Sequence, residues 1–565
     1  MIYPPSTQTS PESSCEAAAG GLGLHRNGGR HEISTWVDLL LEEQRSLTLV
    51  EDFARAHKLG DLPRARTYSK LLPASQPGPG QQMAFEVDLD ACSGCKACVT
   101  ACHSLNGLEE GETWRSVGQL IPEDDAPGSR QQHVTTACHH CVDPGCLNGC
   151  PVLAYDKDPV SGIVRHLDDQ CIGCQYCVMK CPYEVPKYSK RLGIVRKCDL
   201  CTSRLAVGEA PACAQGCPNE AIRITLVDSA EISAKLAMKG GQNLFLPSSP
   251  SPTITTPTTL YRSARPLTSQ RAADSLQLRL EPAHWPLVFM LLLTQASAGL
   301  FACAAVLALA GMLFPLQWMA ATGTALLLLG LFGAGLHLGQ PLRAWRAFMG
   351  WRRSWLSREI IAFSLALPCA AAATWSAWFA PQHSLFKLSL ILAATSSLAG
   401  VVMSIQVYVD TRRPAWAGLV TWPSFLRATV RMGCLLAAAC IGFHVSSATE
   451  ESRQWKQILL AVALIAPLSQ SVWHRILNTT ALKNPDSPRH RNARVETEVL
   501  QKTLHASRLL NTGAAIIALG FITGLLASPA GAVLGLTAAG AAELLHRWRF
   551  FVAAQPPRMP GGIGS

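Results

Sequence analysis

The chain has 565 residues, of which 48% are hydrophobic and 16% are charged, whereas soluble domains carry about 25% charged residues. This composition excludes an intrinsically disordered protein and argues against a wholly soluble one. The formal net charge of +10 is modest, so its distribution along the chain is more informative than its size.

Residues 1–81 form a predicted N-terminal extension that is partly helical. Apolar residues recur at helical spacing over residues 36–72, which is typical of a docking element rather than an active site. The Pro-Gly-Pro-Gly run at 77–80 marks the end of the extension. Residues 1–36 contain neither a basic start followed by an apolar run nor a twin-arginine pair, so we expect no export signal there.

Residues 82–228 contain sixteen cysteines, which fall into four groups of four. Gaps of two residues let a tight loop direct three thiolates at one cluster, and the next gap of three carries the fourth thiolate to a partner cluster. This spacing predicts four [4Fe–4S] clusters in an α+β ferredoxin-like domain of two paired modules. The groups are Cys92, Cys95, Cys98 and Cys102; Cys138, Cys141, Cys146 and Cys150; Cys171, Cys174, Cys177 and Cys181; and Cys198, Cys201, Cys213 and Cys217.

Other uses of these cysteines fit the spacing less well. Zinc sites generally use two cysteine pairs separated by a longer finger, not three cysteines within seven residues. Disulfides between cysteines two residues apart are strained, and they are disfavoured in the cytoplasm. The pattern therefore favours iron–sulfur clusters, and structural zinc in a non-redox membrane scaffold remains the competing interpretation.

Residues 229–283 are predicted to be a linker, because the part from 247 to 272 is rich in proline, serine and threonine. Beyond it lie eight apolar stretches, and six of them comfortably reach the roughly 20 residues that a membrane-spanning helix needs. The sequence therefore predicts an all-α bundle of eight transmembrane helices over residues 284–550 and a flexible tail over 551–565. The stretches cover residues 286–313, 319–338, 360–380, 388–409, 432–448, 457–473, 509–527 and 530–545.

The basic residues between these stretches indicate an orientation. Nineteen lysines and arginines follow the second, fourth and sixth stretches or lie in the tail, and only three lie in the opposite loops. The positive-inside rule places the richer side in the cytoplasm, together with the cysteine-rich domain. We therefore expect a multi-pass protein of the bacterial inner membrane. Its basic excess serves membrane topology, so no nucleic-acid partner is expected.

The cysteine-rich half resembles the four-cluster ferredoxin subunit of the DMSO reductase family of molybdoenzymes, through its two long-gap quartets and the proline that follows three of the four. The apolar half resembles the eight-helix anchor subunit of the same family. The matching motifs are HWPL at 284–287, HLGQP at 337–341, LSREI at 356–360 and AELL at 542–545. The resemblance implies a fusion of two subunits that are separate chains in most relatives.

In that family the first quartet pairs with the fourth, and the second with the third. The resemblance therefore implies that each cluster takes three ligands from one quartet and one from its partner. The implied ligand sets are Cys92, Cys95, Cys98 and Cys217 (the first set); Cys198, Cys201, Cys213 and Cys102 (the second); Cys138, Cys141, Cys146 and Cys181 (the third); and Cys171, Cys174, Cys177 and Cys150 (the fourth).

His337 and Glu359 flank one predicted cytoplasmic loop and are candidates for binding and deprotonating a quinol. Ionisable groups at membrane depth are costly and usually functional, and a histidine can accept a quinol proton near neutral pH. The residues alone favour a helix cap for His337 and an ion pair with Arg358 for Glu359. The resemblance implies instead that both act on menaquinol, as the matching residues of the family's anchor do.

Haem b is a competing cofactor that needs two axial histidines, and the spans offer His337, His444 and His474. They form no repeated pattern and the resembled anchor is haem-free, so we expect no haem. The chain has no dinucleotide-binding loop and no recognisable molybdenum site, so the resemblance implies a separate catalytic subunit that holds the molybdopterin. The reverse electron flow, from a substrate oxidoreductase to quinone, remains open because sequence does not fix cluster potentials.

Overall fold

The computed structural model describes residues 70–123, 130–238, 245–265, 267, 270–312, 315–444, 450–485, 487–523, 525 and 529–561. The helix predicted within residues 36–72 lies almost wholly outside the described residues and stays a prediction. The same holds for the rest of the N-terminal extension up to residue 69.

Short strands and short helices make up the cysteine-rich half. The strands are β1 (Gln81–Asp88), β2 (Ser116–Pro122), β3 (Gln132–Thr136), β4 (Tyr155–Lys157), β5 (Val164–His166), β6 (Lys187–Ser189), β7 (Ile194–Arg196), β8 (Ile222–Asp228), β9 (Leu260–Arg262) and β10 (Gln270–Ala272). The helices are α1 (Ala97–Leu105), α2 (Gly145–Gly149), α3 (Tyr176–Lys180), α4 (Thr202–Ala206), α5 (Ala212–Gln215) and α6 (Ser229–Met238).

The sheets join distant parts of the sequence. Strand β1 pairs antiparallel with β8, from Gln81 opposite Asp228 to Val87 opposite Ile222, and parallel with β9 on its other edge. Strand β2 pairs antiparallel with both β3 and β10. The segment predicted to be a linker over 229–283 therefore contributes two strands to the ferredoxin-like domain. Its proline and serine content conceals this, because strand addition depends on partners far away in sequence.

Long helices make up the other half, and six of those in the described residues are long and apolar enough to cross a membrane. These six are α7 (Trp285–Leu309), α8 (Leu316–Leu336), α9 (Trp355–Phe379), α10 (Ser384–Val409), α11 (Gly418–His444) and α12 (Glu450–Lys483). After the short α13 (His490–Arg494) come α14 (Gln501–Ile522) and α15 (Pro529–Val552). These last two are of similar length but are not among the six, so the predicted count of eight spans stays a prediction.

Helix α7 is the most buried of the six spans and packs against α8, α10, α11 and α15. Its crossing with α11 is close, because two glycines meet there. A Cβ atom on Gly299 would lie 1.9 Å from the carbonyl oxygen of Thr429, and one on Gly433 would lie 2.3 Å from the carbonyl carbon of Gly299. Small residues at such a crossing let two backbones touch, which is how helices associate where no hydrophobic force drives them.

The loop between α8 and α9 carries the ferredoxin-like domain. It contains a 3₁₀ helix (Pro341–Phe348), and its backbone bonds directly to the domain. The amide of Gln340 donates to the carbonyl of Ile172 over 3.1 Å, and the amide of Gly350 donates to the carbonyl of Pro151 over 2.8 Å. Backbone contacts of this kind fix the height and angle of the domain on the helices.

Substitution of Gly339 by alanine is expected to lower stability by about 1–3 kcal/mol, the usual cost of overpacking. Its Cβ atom would lie 2.1 Å from the carbonyl oxygen of Gly193 and 2.7 Å from the hydroxyl of Tyr188. Thermal unfolding of the purified chain measures the effect. Gly513→Ala is the matched control, because nothing lies within 4 Å of the added methyl group there. Equal thermal unfolding midpoints for Gly339→Ala and Gly513→Ala would contradict a close contact between this loop and the ferredoxin-like domain.

The segment 553–561 packs against the ferredoxin-like domain rather than forming the flexible tail that composition predicts. The amide of Gln119 donates to the carbonyl of Gly561 over 3.2 Å, and the guanidinium of Arg558 lies 2.6 Å from the carboxylate of Asp274. Met559 is buried in the core of that domain. Residues 562–565 lie outside the described residues.

Candidate functional site

Tight loops place the sixteen thiols of the cysteine-rich half. Gly94 lies between two cysteines of the first quartet with φ of +75°, and Gly173 lies in the third with φ of +68°. A Cβ atom on Gly173 would lie 2.3 Å from the carbonyl oxygen of Gly193. Each loop leads into a short helix, α1 or α3, that carries the next thiol. The local backbone thus matches the geometry that the spacing predicts.

The structure brings cysteines together across the quartets. Within the first set, the thiol of Cys92 interacts with those of Cys95, Cys98 and Cys217. The other three sets show the same mixing of two quartets. The thiol of Cys102 interacts with those of Cys201 and Cys213, the thiol of Cys141 with those of Cys138, Cys146 and Cys181, and the thiol of Cys177 with those of Cys150, Cys171 and Cys174.

Among the described residues, no three histidine, cysteine, aspartate or glutamate side chains converge on a single ion site. Burial raises the pKa of the Cys102 thiol to about 12, so it becomes a thiolate only beside an added positive charge such as iron. A bound metal cation is therefore needed for this thiol to act as a ligand.

The sets neighbour one another in the order first, second, third and fourth. The thiol of Cys98 in the first set interacts with Cys213 in the second, and Cys198 in the second interacts with Cys138 in the third. Between the third and fourth sets lies the buried ring of Tyr155, which interacts with thiols of both. Cys174 of the fourth set lies beside the helices of the membrane half.

Two buried cations lie among the sets, and sequence reasoning missed both. The side chain of Arg115 is 2% exposed, and its Nε and Nη2 atoms have no hydrogen-bond partner. It lies beside thiols of the first and second sets. The Nζ atom of Lys197 lies 3.7 Å from the sulfur of Cys138 in the third set. A buried unpaired cation is costly, so these residues fit anionic cluster–thiolate groups beside them.

Arg115→Gln is expected to lower the reduction potentials of the clusters at the first and second sets. A unit charge about 8 Å from a cluster contributes on the order of 2 kcal/mol at an effective dielectric constant of about 20, or roughly 90 mV for a one-electron couple. Redox titration followed by electron paramagnetic resonance (EPR) measures the change. The exposed Arg130 provides the control, since Arg130→Gln should leave every potential in place. Unchanged reduction potentials in Arg115→Gln would contradict the placement of clusters beside Arg115.

A cavity of about 290 Å³ separates the fourth set from the helices. Its wall is mostly apolar and comes from α7, α8, α9 and α10 on one side and from residues 172–179 on the other. Cys174 of the fourth set lines it directly, as does Tyr176, whose hydroxyl donates to the carbonyl of Val407 over 2.9 Å. An apolar molecule in this cavity lies next to a cysteine of the fourth set.

His337 and Glu359 both line this cavity. His337 caps the C-terminal end of α8, and its ring Nε2 is buried without a hydrogen-bond partner. Burial, aided by the neighbouring His284, lowers the pKa of His337 to about 4, so the ring is neutral. The side chain of Glu359 accepts a hydrogen bond from the hydroxyl of Ser404 over 2.5 Å.

The structure does not show the ion pair between Glu359 and Arg358 that the residues alone favour. The guanidinium of Arg358 donates instead to the carbonyls of Trp351 and Arg352. Glu359 is 4% exposed and points into the bundle. Its carboxyl is therefore available to a molecule in the cavity.

The histidines considered for haem face different surroundings. The ring of His337 lies 5.3 Å from that of His284, whereas Nε2 of His474 lies 3.3 Å from Nε2 of His546 in another part of the bundle. The side chain of His444 is outside the described residues. The structure thus does not bring His337 and His474 together as a ligand pair.

Comparisons with known proteins match both halves. The 4Fe-4S dicluster domain family matches residues 130–226, and the DMSO reductase anchor subunit family matches residues 281–551. The chain is 36% identical over 198 residues to the hydrogenase-2 operon protein HybA of Escherichia coli O157:H7, covering 30% of this chain and 60% of that protein.

Two further relatives are covered over more of their length. The formate dehydrogenase-O iron-sulfur subunit of Escherichia coli (strain K12) is 32% identical over 217 residues, which is 34% of this chain and 71% of the relative. A subunit of the anaerobic dimethyl sulfoxide reductase of Haemophilus influenzae is 34% identical over 156 residues, which is 26% of this chain and 76% of the relative.

Proposed function

Because the chain belongs to the family of iron–sulfur subunits of DMSO reductase-type complexes and carries their anchor domain in the same polypeptide, we propose that it oxidises menaquinol in the membrane. The electrons then pass through four [4Fe–4S] clusters to a separate catalytic subunit, which holds a molybdopterin cofactor. The function combines electron transfer and membrane anchoring in one integral membrane protein.

The cavity between the fourth set and α9 is the observation that supports this proposal most. Oxidation of a quinol releases two electrons and two protons, which must leave by different routes. One wall of the cavity contains Cys174, and the facing helices supply His337 and Glu359. A quinol ring held there has an electron acceptor on one side and proton acceptors on the other.

The residues of the cavity have distinct roles in this mechanism. The neutral ring of His337 accepts a hydrogen bond from one quinol hydroxyl and orients it. Glu359 takes up the first proton and, after releasing it to water, takes up the second, while Ser404 holds its carboxyl in place. The apolar wall excludes water and accommodates the isoprenoid chain. When bound, the clusters relay electrons one at a time.

The proposal also includes the ligand sets and the side of the membrane. Each cluster takes three cysteines from one quartet and one from the partner quartet. The electrostatic interactions of Cys217, Cys102, Cys181 and Cys150 with the thiols of the partner quartets support this pairing. The ferredoxin-like domain faces the cytoplasm of a bacterial inner membrane. The excess of lysine and arginine in the loops on its side supports this orientation.

A direct experiment tests the function. The full chain is purified anaerobically in detergent, and a short-chain menaquinol analogue is added while the clusters are followed by EPR. We expect about sixteen iron atoms per chain and reduction of the clusters by the quinol within the mixing time. A colourless chain with bound zinc would refute it. The clusters could instead have potentials too low for menaquinol to reduce them, and yet pass electrons to menaquinone once they are reduced. That result would favour electron flow from a substrate oxidoreductase to quinone.

A further inference from the structure

A second cavity, of about 200 Å³, lies between α12, α14 and α15, and it shares no lining residue with the first. Its wall is polar, unlike that of the quinol cavity. Three arginines line it, Arg475, Arg508 and Arg549, together with the histidine pair described above. On the predicted topology these residues lie toward the cytoplasmic ends of their helices.

Positive charge exceeds negative charge around this cavity. Glu496 and Glu543 are the carboxylates in its lining. Glu496 accepts a hydrogen bond from the amide of Asn478 over 2.7 Å, and Glu543 lies 3.4 Å from Nη2 of Arg547. Arg427 and Arg431 also interact with Glu543, and Arg489 with Glu496. Arg549 of the lining also interacts with both carboxylates, so five arginines surround two carboxylates, and Arg475 and Arg508 add to the excess of positive charge.

Arg549 is the residue that points to a ligand. Arg549 is 9% exposed, it lines the cavity, and its Nε atom has no hydrogen-bond partner. A buried guanidinium donor without a partner costs free energy, which an anion in the cavity would recover. Arg475 and Arg508 are exposed at the rim of the same cavity, where they can meet the same anion.

We propose that this cavity binds the phosphodiester headgroup of an anionic membrane lipid. The outer faces of α12 and α14 beside the rim are apolar and exposed, with Val472, Ile476 and Leu509 at 60%, 52% and 74% exposure. Acyl chains can pack against these apolar faces, whereas a free phosphate ion would make no contact with them. Basic pockets between helices on the cytoplasmic side are typical sites for acidic lipid headgroups.

The rim arginines provide the test, because they are exposed and their replacement leaves the core intact. The full chain in detergent is titrated with micelles containing phosphatidylglycerol, with phosphatidylcholine micelles and with inorganic phosphate. The thermal midpoint and native mass spectrometry report binding. At about 1 kcal/mol per arginine, R475Q/R508Q should bind phosphatidylglycerol about 30-fold more weakly. R352Q/R353Q is the matched control, with two exposed arginines outside the cavity.

Three outcomes overturn the proposal. The first is equal binding by both double variants, which would show that the rim arginines do not hold the headgroup. The second is an equal effect of phosphatidylcholine, which would remove the requirement for net negative charge. The third is full reproduction by inorganic phosphate at millimolar concentration, which would make the site one for a free anion. The readout is binding rather than cluster reduction, so failure here leaves the quinol proposal standing.

Discussion

Glu359→Gln should slow the reduction of the clusters by menaquinol about 100-fold, the lower range for loss of a general base. Glutamine retains the shape of the side chain and its contact with Ser404 but does not take up a proton. Reduction by dithionite should be unaffected, because it does not pass through the cavity. Stopped-flow measurement of cluster bleaching, with each reductant in turn, separates the two reactions.

Two further variants make this prediction specific. Glu359→Asp keeps the acid but shortens its reach, so partial recovery of the quinol rate is expected. Glu451→Gln removes an exposed carboxylate at the start of α12 and should have no effect. If menaquinol reduces the clusters of Glu359→Gln at the rate of the unaltered chain, another group accepts the proton and the role proposed for Glu359 is wrong.

Cys177→Ala should remove one cluster, lowering the iron content from about sixteen to about twelve atoms per chain. The fourth set lies against the quinol cavity, so its loss should abolish reduction of the remaining clusters by menaquinol. Dithionite should still reduce those clusters. Cys440→Ala, which alters a cysteine of α11 outside the four sets, is the control and should retain all iron.

A cysteine of the first set gives the complementary result. Cys95→Ala should lose a similar amount of iron, yet menaquinol should still reduce the three remaining clusters. The differing response of the two variants tests the order of the sets, not only their existence. If both variants lose reduction by menaquinol equally, electrons do not enter the clusters at the set that contains Cys174.

The sequence predicted those features that depend on short stretches of chain. Cysteine spacing sets the loops around Gly94 and Gly173, so the groups were visible without a structure. Long apolar runs predicted the positions of the spans, although α11 and α12 extend beyond them through residues such as Trp422 and Arg475. Helical hydrogen bonding continues past the apolar part of a segment, and hydropathy does not show where it stops.

Features built from distant residues were not predictable in the same way. Arg115 precedes β2 and has no distinctive neighbours in sequence, yet folding places it between thiols numbered near 100 and near 200. Strands β9 and β10 lie in a segment that reads as a linker. His337 and Glu359 were found only through a resemblance, because burial in a shared cavity is a property of the packed helices.

The packing of residues 553–561 has a consequence for biosynthesis. These residues leave the ribosome after all the long helices, yet Met559 fills the interior of a domain that begins near residue 81. That domain therefore reaches its final fold only after the helices have been inserted. Until then its thiols lack part of their final surroundings, so completion of the ferredoxin-like domain depends on synthesis of the whole chain.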